Sequence, residues 1–304
     1  MRSGRPRALR LSSRPMRRLY RAAIAAILPL TAGCAITREV AVDSVTPILE
    51  TAFATTFRDA DLETVREGIP GNLLLLRGMA EEYPGRRDLR ELTTQAYFSF
   101  AMAFVEDSEP DRASLLYQEG WRLGREFLED IDWFADAEAE KPLPTQKTLN
   151  RIEDSDVPLL FWTLANWMRW VSLNLDDPAA VAMIPRIELY LDRVIELEGT
   201  YYQGLPYAML ASIQGFRPQM LGGKPEESER NFQEAFRISG NRMLLFHVLY
   251  AQFYCRQVLD ETCFDSTLNE VLAAPDGLYP DFRLWNQVAK DKAHYLLEIR
   301  DELF

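Results

Sequence analysis

Apolar residues recur after position 45 with the three- and four-residue spacing of amphipathic helices, and no stretch shows the sustained alternation of a β-strand. Proline and glycine interrupt this spacing repeatedly and divide the chain into helical segments of about 12 to 20 residues with short connections. The pattern therefore predicts an all-α fold. The main interruptions lie at Pro84-Gly85, Ser108-Glu109-Pro110, 142–144, Asp176-Asp177-Pro178, Gly222-Gly223, Gly240 and Pro275.

Large and small residues recur at fixed offsets within these segments. Counting from Tyr97, the positions +3, +4, +7, +16, +20 and +23 hold Phe100, Ala101, Phe104, Ala113, Tyr117 and Gly120. These offsets resemble the signature of the TPR repeat, in which small residues let the two helices of a pair approach closely. Partial copies in the same phase follow at Tyr207, Leu210, Ala211, Ser228, Phe232 and Ala235, and then at Phe246, Leu249 and Phe253. The resemblance implies a TPR-like helix-pair solenoid with degenerate repeats.

Two further segments complete the predicted architecture. The acidic, proline-containing stretch 136–156 predicts a solvated insertion between helix pairs, and the last periodic segment, 282–299, predicts a capping helix. Asp156 stands where an N-cap belongs, with Pro158 in the first turn of the helix that follows.

The first 33 residues have the composition of an export signal. They contain eight arginines and no acidic residue, and their apolar run, 22–30, is about half as long as the roughly 20 residues of a membrane-spanning helix. Segment 1–33 is therefore predicted to be a signal peptide. A later start at Met16 would leave Arg17 and Arg18 as its basic region.

The signal ends in Leu30-Thr31-Ala32-Gly33-Cys34, which resembles a bacterial lipobox. The resemblance implies that the Cys34 thiol receives a diacylglyceryl group, that 34–50 form a tether, and that a helical domain, 51–304, faces the periplasm. Ala35 stands where lipoproteins retained at the inner membrane commonly have Asp, so the outer membrane is favoured. The alternative is a plain signal peptide that ends near a cysteine.

Removal of the signal would make the chain strongly acidic. The full chain has 34 basic and 46 acidic residues, a formal net charge of −12; without the eight signal arginines, 26 basic residues face 46 acidic ones, a net charge of −20. Such a surface repels nucleic-acid phosphates and anionic lipid headgroups. We therefore expect no nucleic-acid partner, and membrane attachment through lipid.

Residues typical of catalysis or metal binding are sparse. The chain has two histidines, His247 and His294, and neither has a second metal-ligand residue at a convincing spacing. His247 lies among apolar residues, as a core histidine would. The sequence predicts no enzyme, no cofactor and no metal site. Cys255 and Cys263, eight residues apart, either form a disulfide or remain two buried thiols, and the sequence leaves both possibilities open.

Candidate binding residues are aromatic or lie in one long connection. The helical segment 158–175 carries rings on two faces, which indicates either central packing or the lining of a pore. The tyrosine pair 201–202, immediately before Gly204-Leu205-Pro206, suits a pore mouth or partner contact, or packs the turn between helix pairs. The candidate ligand residues are Phe161, Trp162, Trp167, Trp170, Tyr201, Tyr202 and Tyr207. The connection 215–225, with its paired glycines, predicts a partner-binding loop through Arg217, Gln219 and Lys224.

One block of sequence indicates a family. It consists of Gly204-Leu205-Pro206-Tyr207, Leu210, Pro218, Leu221-Gly222-Gly223, Pro225 and Phe232. Together with the lipobox and the degenerate helix pairs, this block resembles the TRAP transporter T-component family. The resemblance implies a periplasmic lipoprotein that forms a homotrimer, binds the solute-binding P protein and contains one pore or cavity per subunit for an apolar ligand. It implies no catalytic residues.

These observations predict a periplasmic lipoprotein scaffold that binds a TRAP solute-binding protein and helps to transfer an apolar or organic-acid ligand. Two alternatives remain open from the sequence. One is a TPR lipoprotein of envelope or pilus assembly, which the identity of the bound partner would reveal. The other is a stand-alone carrier of a hydrophobic ligand, which would retain a small apolar molecule on purification.

The variant Cys34→Ser tests the lipid anchor. Each buried lipid CH₂ contributes about 0.8 kcal/mol to membrane binding, so loss of the acylated thiol removes the attachment. We expect the variant to move from the membrane fraction to the soluble periplasmic fraction, measured by cell fractionation and immunoblotting. Continued retention of the serine variant in the membrane would contradict the lipobox interpretation.

Overall fold

The computed structural model describes residues 42–304, which contain helices and connecting loops and no strand. The predicted all-α class is confirmed. The signal peptide, Cys34 and the tether up to residue 41 lie outside the described residues. Residues Phe53–Phe304 form one compact unit. No helix within 42–304 has both the length and the apolarity needed to cross a bilayer.

The described residues form fifteen α-helices, four short 3₁₀ turns and one π-helix. The first half contains α1 (42–56), α2 (Leu62–Glu82), α3 (Arg87–Phe104), α4 (Pro110–Leu128), α5 (Asp132–Ala139), α6 (Gln146–Leu149), α7 (Val157–Ser172) and α8 (Pro178–Val181). The second half contains α9 (Ile184–Glu198), α10 (Leu205–Gly215), α11 (Pro225–Ser239), α12 (Leu244–Tyr250), the π-helix (Ala251–Cys255), α13 (Glu261–Ala273), α14 (Arg283–Glu298) and α15 (Arg300–Leu303). The 3₁₀ turns are Asp154–Asp156, Tyr201–Gln203, Gln219–Leu221 and Pro280–Phe282.

Helix starts follow the expected chemistry of polar caps and prolines. The Asp61 carboxylate accepts hydrogen bonds from the Glu63 and Thr64 amides at the start of α2, which satisfies two of its free backbone donors. Asp156 does precede α7 as predicted, but its carboxylate makes no cap hydrogen bond to that helix. It accepts instead from the Trp133 indole at 2.9 Å and the Arg87 guanidinium at 2.9 Å, and so joins α5 to the start of α3.

Close helix packing at the centre of the fold depends on small residues of α4. A Cβ added to Gly120 would lie 2.4 Å from Asn166 Oδ1, and one added to Gly124 would lie 2.0 Å from Thr163 Oγ1. Helix α7 therefore approaches α4 closely at both positions. The Asn166 amide also donates to the Thr94 carbonyl at 3.0 Å, which fixes α7 against α3.

The last long helix returns to the start of the compact unit. Helix α14 lies where the sequence predicts a capping helix, and the Leu284 amide donates to the Phe57 carbonyl at 2.9 Å. The Phe57 ring packs edge-on against Trp285 at 5.6 Å. Helix α14 is thus more than a terminal cap, because it holds together residues more than 200 positions apart in the sequence.

The acidic stretch 136–156 is anchored to the helical core. The buried Arg186 guanidinium donates to the carbonyls of Ala137 at 2.6 Å and Glu140 at 3.0 Å. Just before the stretch, the buried Phe134 ring stacks on Tyr190 of α9 at 6.1 Å. The stretch 136–156 therefore combines buried anchoring residues with exposed polar and charged ones.

Cys255 and Cys263 form a disulfide with a Cα–Cα distance of 5.6 Å. The bond joins the end of the π-helix to the first turn of α13. Of the two possibilities that the sequence leaves open, the structure has the paired one. The crosslink restricts the short connection between these two elements.

The variant Gly124→Ala tests the packing of α4 on α7. Because the new methyl would overlap Thr163, we expect the free energy of unfolding to fall by about 1–3 kcal/mol. The matched control is Gly78→Ala in α2, where a Cβ meets no atom within 4 Å. Alanine favours the helix there by roughly 0.5–1 kcal/mol. Urea denaturation measures both, and equal effects at the two sites would contradict the packing argument.

Candidate ligand cavity and ionic cluster

A cavity of about 660 Å³ opens where α7, the end of α10 and the π-helix meet. Its volume lies within the range of small-molecule binding sites. The polar and charged side chains that line it include Arg169, Ser172, Gln252 and Arg256. Its apolar wall includes Leu173, Leu175, Phe216, Phe253, Leu259 and Leu303.

A glycine and a π-helix shape the wall of this cavity. A Cβ added to Gly215 would lie 2.5 Å from the Phe253 carbonyl oxygen and 2.7 Å from Ser228 Oγ. The end of α10 can therefore reach the π-helix only with glycine at this position. π-Helical turns are rare and occur frequently at functional sites, and this one supplies Gln252 and Phe253 to the cavity.

A buried carboxylate lies beside the cavity. Glu106 Oε2 accepts from the Tyr117 hydroxyl at 2.5 Å and from Arg169 Nη2 at 2.6 Å, while Oε1 accepts from Lys292 Nζ at 2.7 Å. Lys292 also donates to Asp107 Oδ2 at 2.7 Å. We call Glu106, Asp107, Tyr117, Arg169 and Lys292 the ionic cluster. It joins the segment after α3 to α4, α7 and α14.

The ionic cluster keeps Glu106 ionised. Burial is the largest influence and by itself favours the protonated acid, but the positive charges of Arg169 and Lys292 and their hydrogen bonds outweigh it. The result is a pKa of about 2 for Glu106, below its ordinary value of 4.5. Burial and the neighbouring carboxylate raise the pKa of the Tyr117 phenol, which therefore remains a hydrogen-bond donor.

The predicted ligand residues Phe161, Trp162, Tyr201 and Tyr202 form an aromatic cluster in the core. The Trp162 indole donates to the Tyr201 hydroxyl at 3.1 Å, and its ring packs edge-on against Tyr202 at 5.0 Å. The Gln95 amide donates to the Tyr202 hydroxyl at 2.6 Å. None of these four residues lines the 660 Å³ cavity.

The other predicted ligand residues also lie outside this cavity. The Trp121 ring stacks on Trp167 at 5.2 Å and on Trp170 at 5.5 Å, which places both along the α4 contact. Tyr207 lies against Gly199, where an added Cβ would be 2.9 Å from its ring. Helix α7 does line the cavity, but through Arg169 and Ser172. The sequence signal that points to this face is Arg169, because it is the one charged residue in the apolar helix Val157–Ser172.

The predicted partner-binding residues divide into two kinds. Arg217 Nη2 lies 3.4 Å from Glu188 Oε1, and Lys224 Nζ lies 2.7 Å from Glu188 Oε2. These two ion pairs hold the connection 215–225 against α9. Gln219 is exposed and follows Pro218, which lines the cavity. Gly223 lets the loop close tightly, because an added Cβ would lie 1.9 Å from the Arg217 carbonyl oxygen.

His247 is half-buried and packs against an aromatic ring. Its ring stacks on Phe236 at 4.3 Å, and burial lowers its pKa to about 4, so it is neutral at pH 7. Among residues 42–304, no group of three or more His, Cys, Asp or Glu side chains is placed to hold a metal ion.

Comparison with known proteins identifies the family. The profile described as TRAP transporter T-component matches residues 58–304, which include the cavity and the ionic cluster. The chain belongs to this family. The family is one of transporter-associated components and not of enzymes. A curated relative, an uncharacterized protein of Treponema pallidum (strain Nichols), is 22% identical over 252 residues, which cover 78% of each chain.

The variant Glu106→Gln tests the ionic cluster of this T component. It leaves Arg169 and Lys292 without their carboxylate, so we expect the free energy of unfolding at pH 7 to fall by about 3–5 kcal/mol. The control is Glu109→Gln, which removes an exposed ion pair with Arg112 and should cost no more than about 1 kcal/mol. Equal effects of the two changes, measured by urea denaturation, would contradict a structural role for the cluster.

The same variant has a pH signature. Because folding depresses the Glu106 pKa from 4.5 to about 2, its contribution is complete above pH 4.5 and is lost as the pH falls towards 2. Between pH 4.5 and pH 2, the free energy of unfolding should therefore fall more for the native chain than for Glu106→Gln. Parallel curves for the two proteins would show that Glu106 has no depressed pKa.

Proposed function

We propose that this T component is a lipid-anchored periplasmic scaffold that binds a TRAP solute-binding protein and exchanges an organic ligand with it through the 660 Å³ cavity. The observation that carries the proposal is the position of this cavity beside an exposed loop, within a chain that belongs to the family. The anchor is Cys34, and the outer membrane is the proposed location.

The mouth of the cavity supports partner contact. Leu259, which lines the cavity, is 73% exposed, and Met220, two residues after the lining residue Pro218, is 89% exposed. Exposed apolar side chains next to a cavity commonly mark binding surfaces. Methionine also adapts its shape to different partners, because it is unbranched. A solute-binding protein docked here would cover the mouth while ligand passes between the two proteins.

The scaffold is proposed to be a degenerate TPR-like array. Three positions of the repeat signature that require small residues, Ala101, Ala113 and Gly120, are all buried. The small residues Ser228 and Ala235 in the later copy are also fully buried. Such arrays commonly present binding surfaces built from successive helix pairs.

The compartment and oligomeric state belong to the same proposal. The Cys255–Cys263 disulfide suits an oxidising compartment such as the periplasm. Exposed Leu74 and Leu75 on α2 and Leu115 on α4 offer apolar surface for self-association. This surface is compatible with the homotrimer that the family resemblance implies.

Affinity capture of the full-length chain tests this function. The tagged protein is expressed in its native host, crosslinked in intact cells and isolated, and the captured proteins are identified by mass spectrometry. We expect a TRAP solute-binding protein. Met220→Asp should reduce its capture about tenfold, because a charge replaces an apolar contact. The matched control is Met183→Asp, which alters an exposed methionine at the start of α9 that does not line the cavity.

Three other outcomes would overturn the proposal. Capture of envelope- or pilus-assembly proteins instead of a solute-binding protein would indicate the assembly function. An unaccompanied protein that retains a small apolar molecule would indicate a stand-alone carrier. Equal loss of the solute-binding protein with Met220→Asp and Met183→Asp would place the contact away from the cavity mouth.

A further inference from the structure

The charges that line the 660 Å³ cavity differ from those of the chain as a whole. The chain has 46 acidic and 34 basic residues. The cavity lining nevertheless contains two arginines, Arg169 and Arg256, and no carboxylate. A cavity whose charged lining side chains are all positive has a local preference for an anion, even within an acidic protein.

The two arginines have different surroundings. Arg169 is buried, and its Nε and Nη2 donate to Glu106 at 3.2 and 2.6 Å. A guanidinium has five N–H donors, so these bonds leave others for a ligand. Arg256 is exposed and takes part in no ion pair among residues 42–304. One arginine is therefore held rigidly in place, and the other is free to close on a ligand.

The local charge balance also favours an anion. Within the ionic cluster, the charges of Arg169 and Lys292 are matched by those of Glu106 and Asp107. Arg256 adds a positive charge that no carboxylate of the lining offsets. A carboxylate bound between the two arginines would form charge-assisted hydrogen bonds, which are about twice as strong as neutral ones.

The remaining lining determines the other part of the ligand. Leu173, Phe216, Phe253, Leu259 and Leu303 provide an apolar wall next to the two guanidinium groups. Arg169 and Phe253 also line a second, much smaller space of about 10 Å³, enough for roughly one water molecule. The apolar part of a ligand is therefore held in the outer cavity.

We infer that this cavity is a binding site for an amphiphilic organic acid, whose carboxylate lies between Arg169 and Arg256 and whose apolar part rests on the leucine and phenylalanine wall. The inference rests on the proposed function and deepens it, because it specifies the ligand as an anion with an apolar body. A neutral apolar molecule would leave the Arg256 charge unpaired in the occupied cavity.

Calorimetric titration with octanoate tests the site. The protein is the full-length chain in nanodiscs of zwitterionic lipid, with empty nanodiscs as the blank, and octanamide serves as the uncharged match. We expect octanoate to bind at least tenfold more tightly than octanamide. Arg256→Gln should weaken octanoate binding about tenfold or more, the effect of one lost charge-assisted hydrogen bond. Octanamide binding should not change.

Arg237→Gln is the matched control. Arg237 is exposed, pairs with Glu234 on α11 and does not line the cavity, so octanoate binding should stay as in the native chain. Absence of octanoate binding, equal affinity for octanoate and octanamide, or equal losses with Arg256→Gln and Arg237→Gln would each overturn the inference.

The result separates this inference from the proposed function. A chain that captures a solute-binding protein but binds octanoate without regard to Arg256 refutes the carboxylate site alone. A chain that binds octanoate through Arg256 but captures no solute-binding protein supports the site and refutes the transport scaffold.

Discussion

The buried carboxylate of Glu106 imposes the strictest constraint on this fold. Removing an ion from water costs several kcal/mol, and the cost is offset only when charged partners and hydrogen bonds surround it closely. Here the partners come from three helices, through Tyr117, Arg169 and Lys292. Because Lys292 is 186 residues from Glu106 in the sequence, the last long helix must return to the first half of the domain. A shift of any of these helices would expose or isolate a charge.

The burial of Glu106 also determines part of the geometry of the cavity. Arg169 serves both, since its guanidinium holds Glu106 and also lines the 660 Å³ space. The opposite wall is fixed by other means. Gly215 lets α10 reach the π-helix, and the disulfide at Cys255 holds the end of that helix next to Arg256. The site is thus built from a rigid ionic support on one side and a covalently restricted turn on the other.

Helical periodicity predicted the fold class, the short connections and the position of α14, because these depend on local spacing. The offset pattern also selected residues such as Ala101 and Ala113, which the structure buries completely. For the aromatic residues of α7, the sequence did not distinguish core packing from the lining of a cavity. Trp162 is fully buried among other rings, and size alone does not tell a core ring from a cavity ring. The pairing of Lys292 with Glu106 has no local signal, so only the assembled fold reveals it.

The position of the cavity follows from how the residues of α7 are distributed between core and surface. The middle of α7 is apolar on nearly all sides and is buried against neighbouring helices, so the part of α7 that lines the cavity is its last turn, from Arg169 to Ser172. The overall negative charge of the chain opposes the approach of an anion only over a limited distance. The Debye length is about 8 Å at physiological ionic strength, so exposed charges farther away are largely screened. At the cavity, the nearby guanidinium groups of Arg169 and Arg256 determine which ligand charge is favoured.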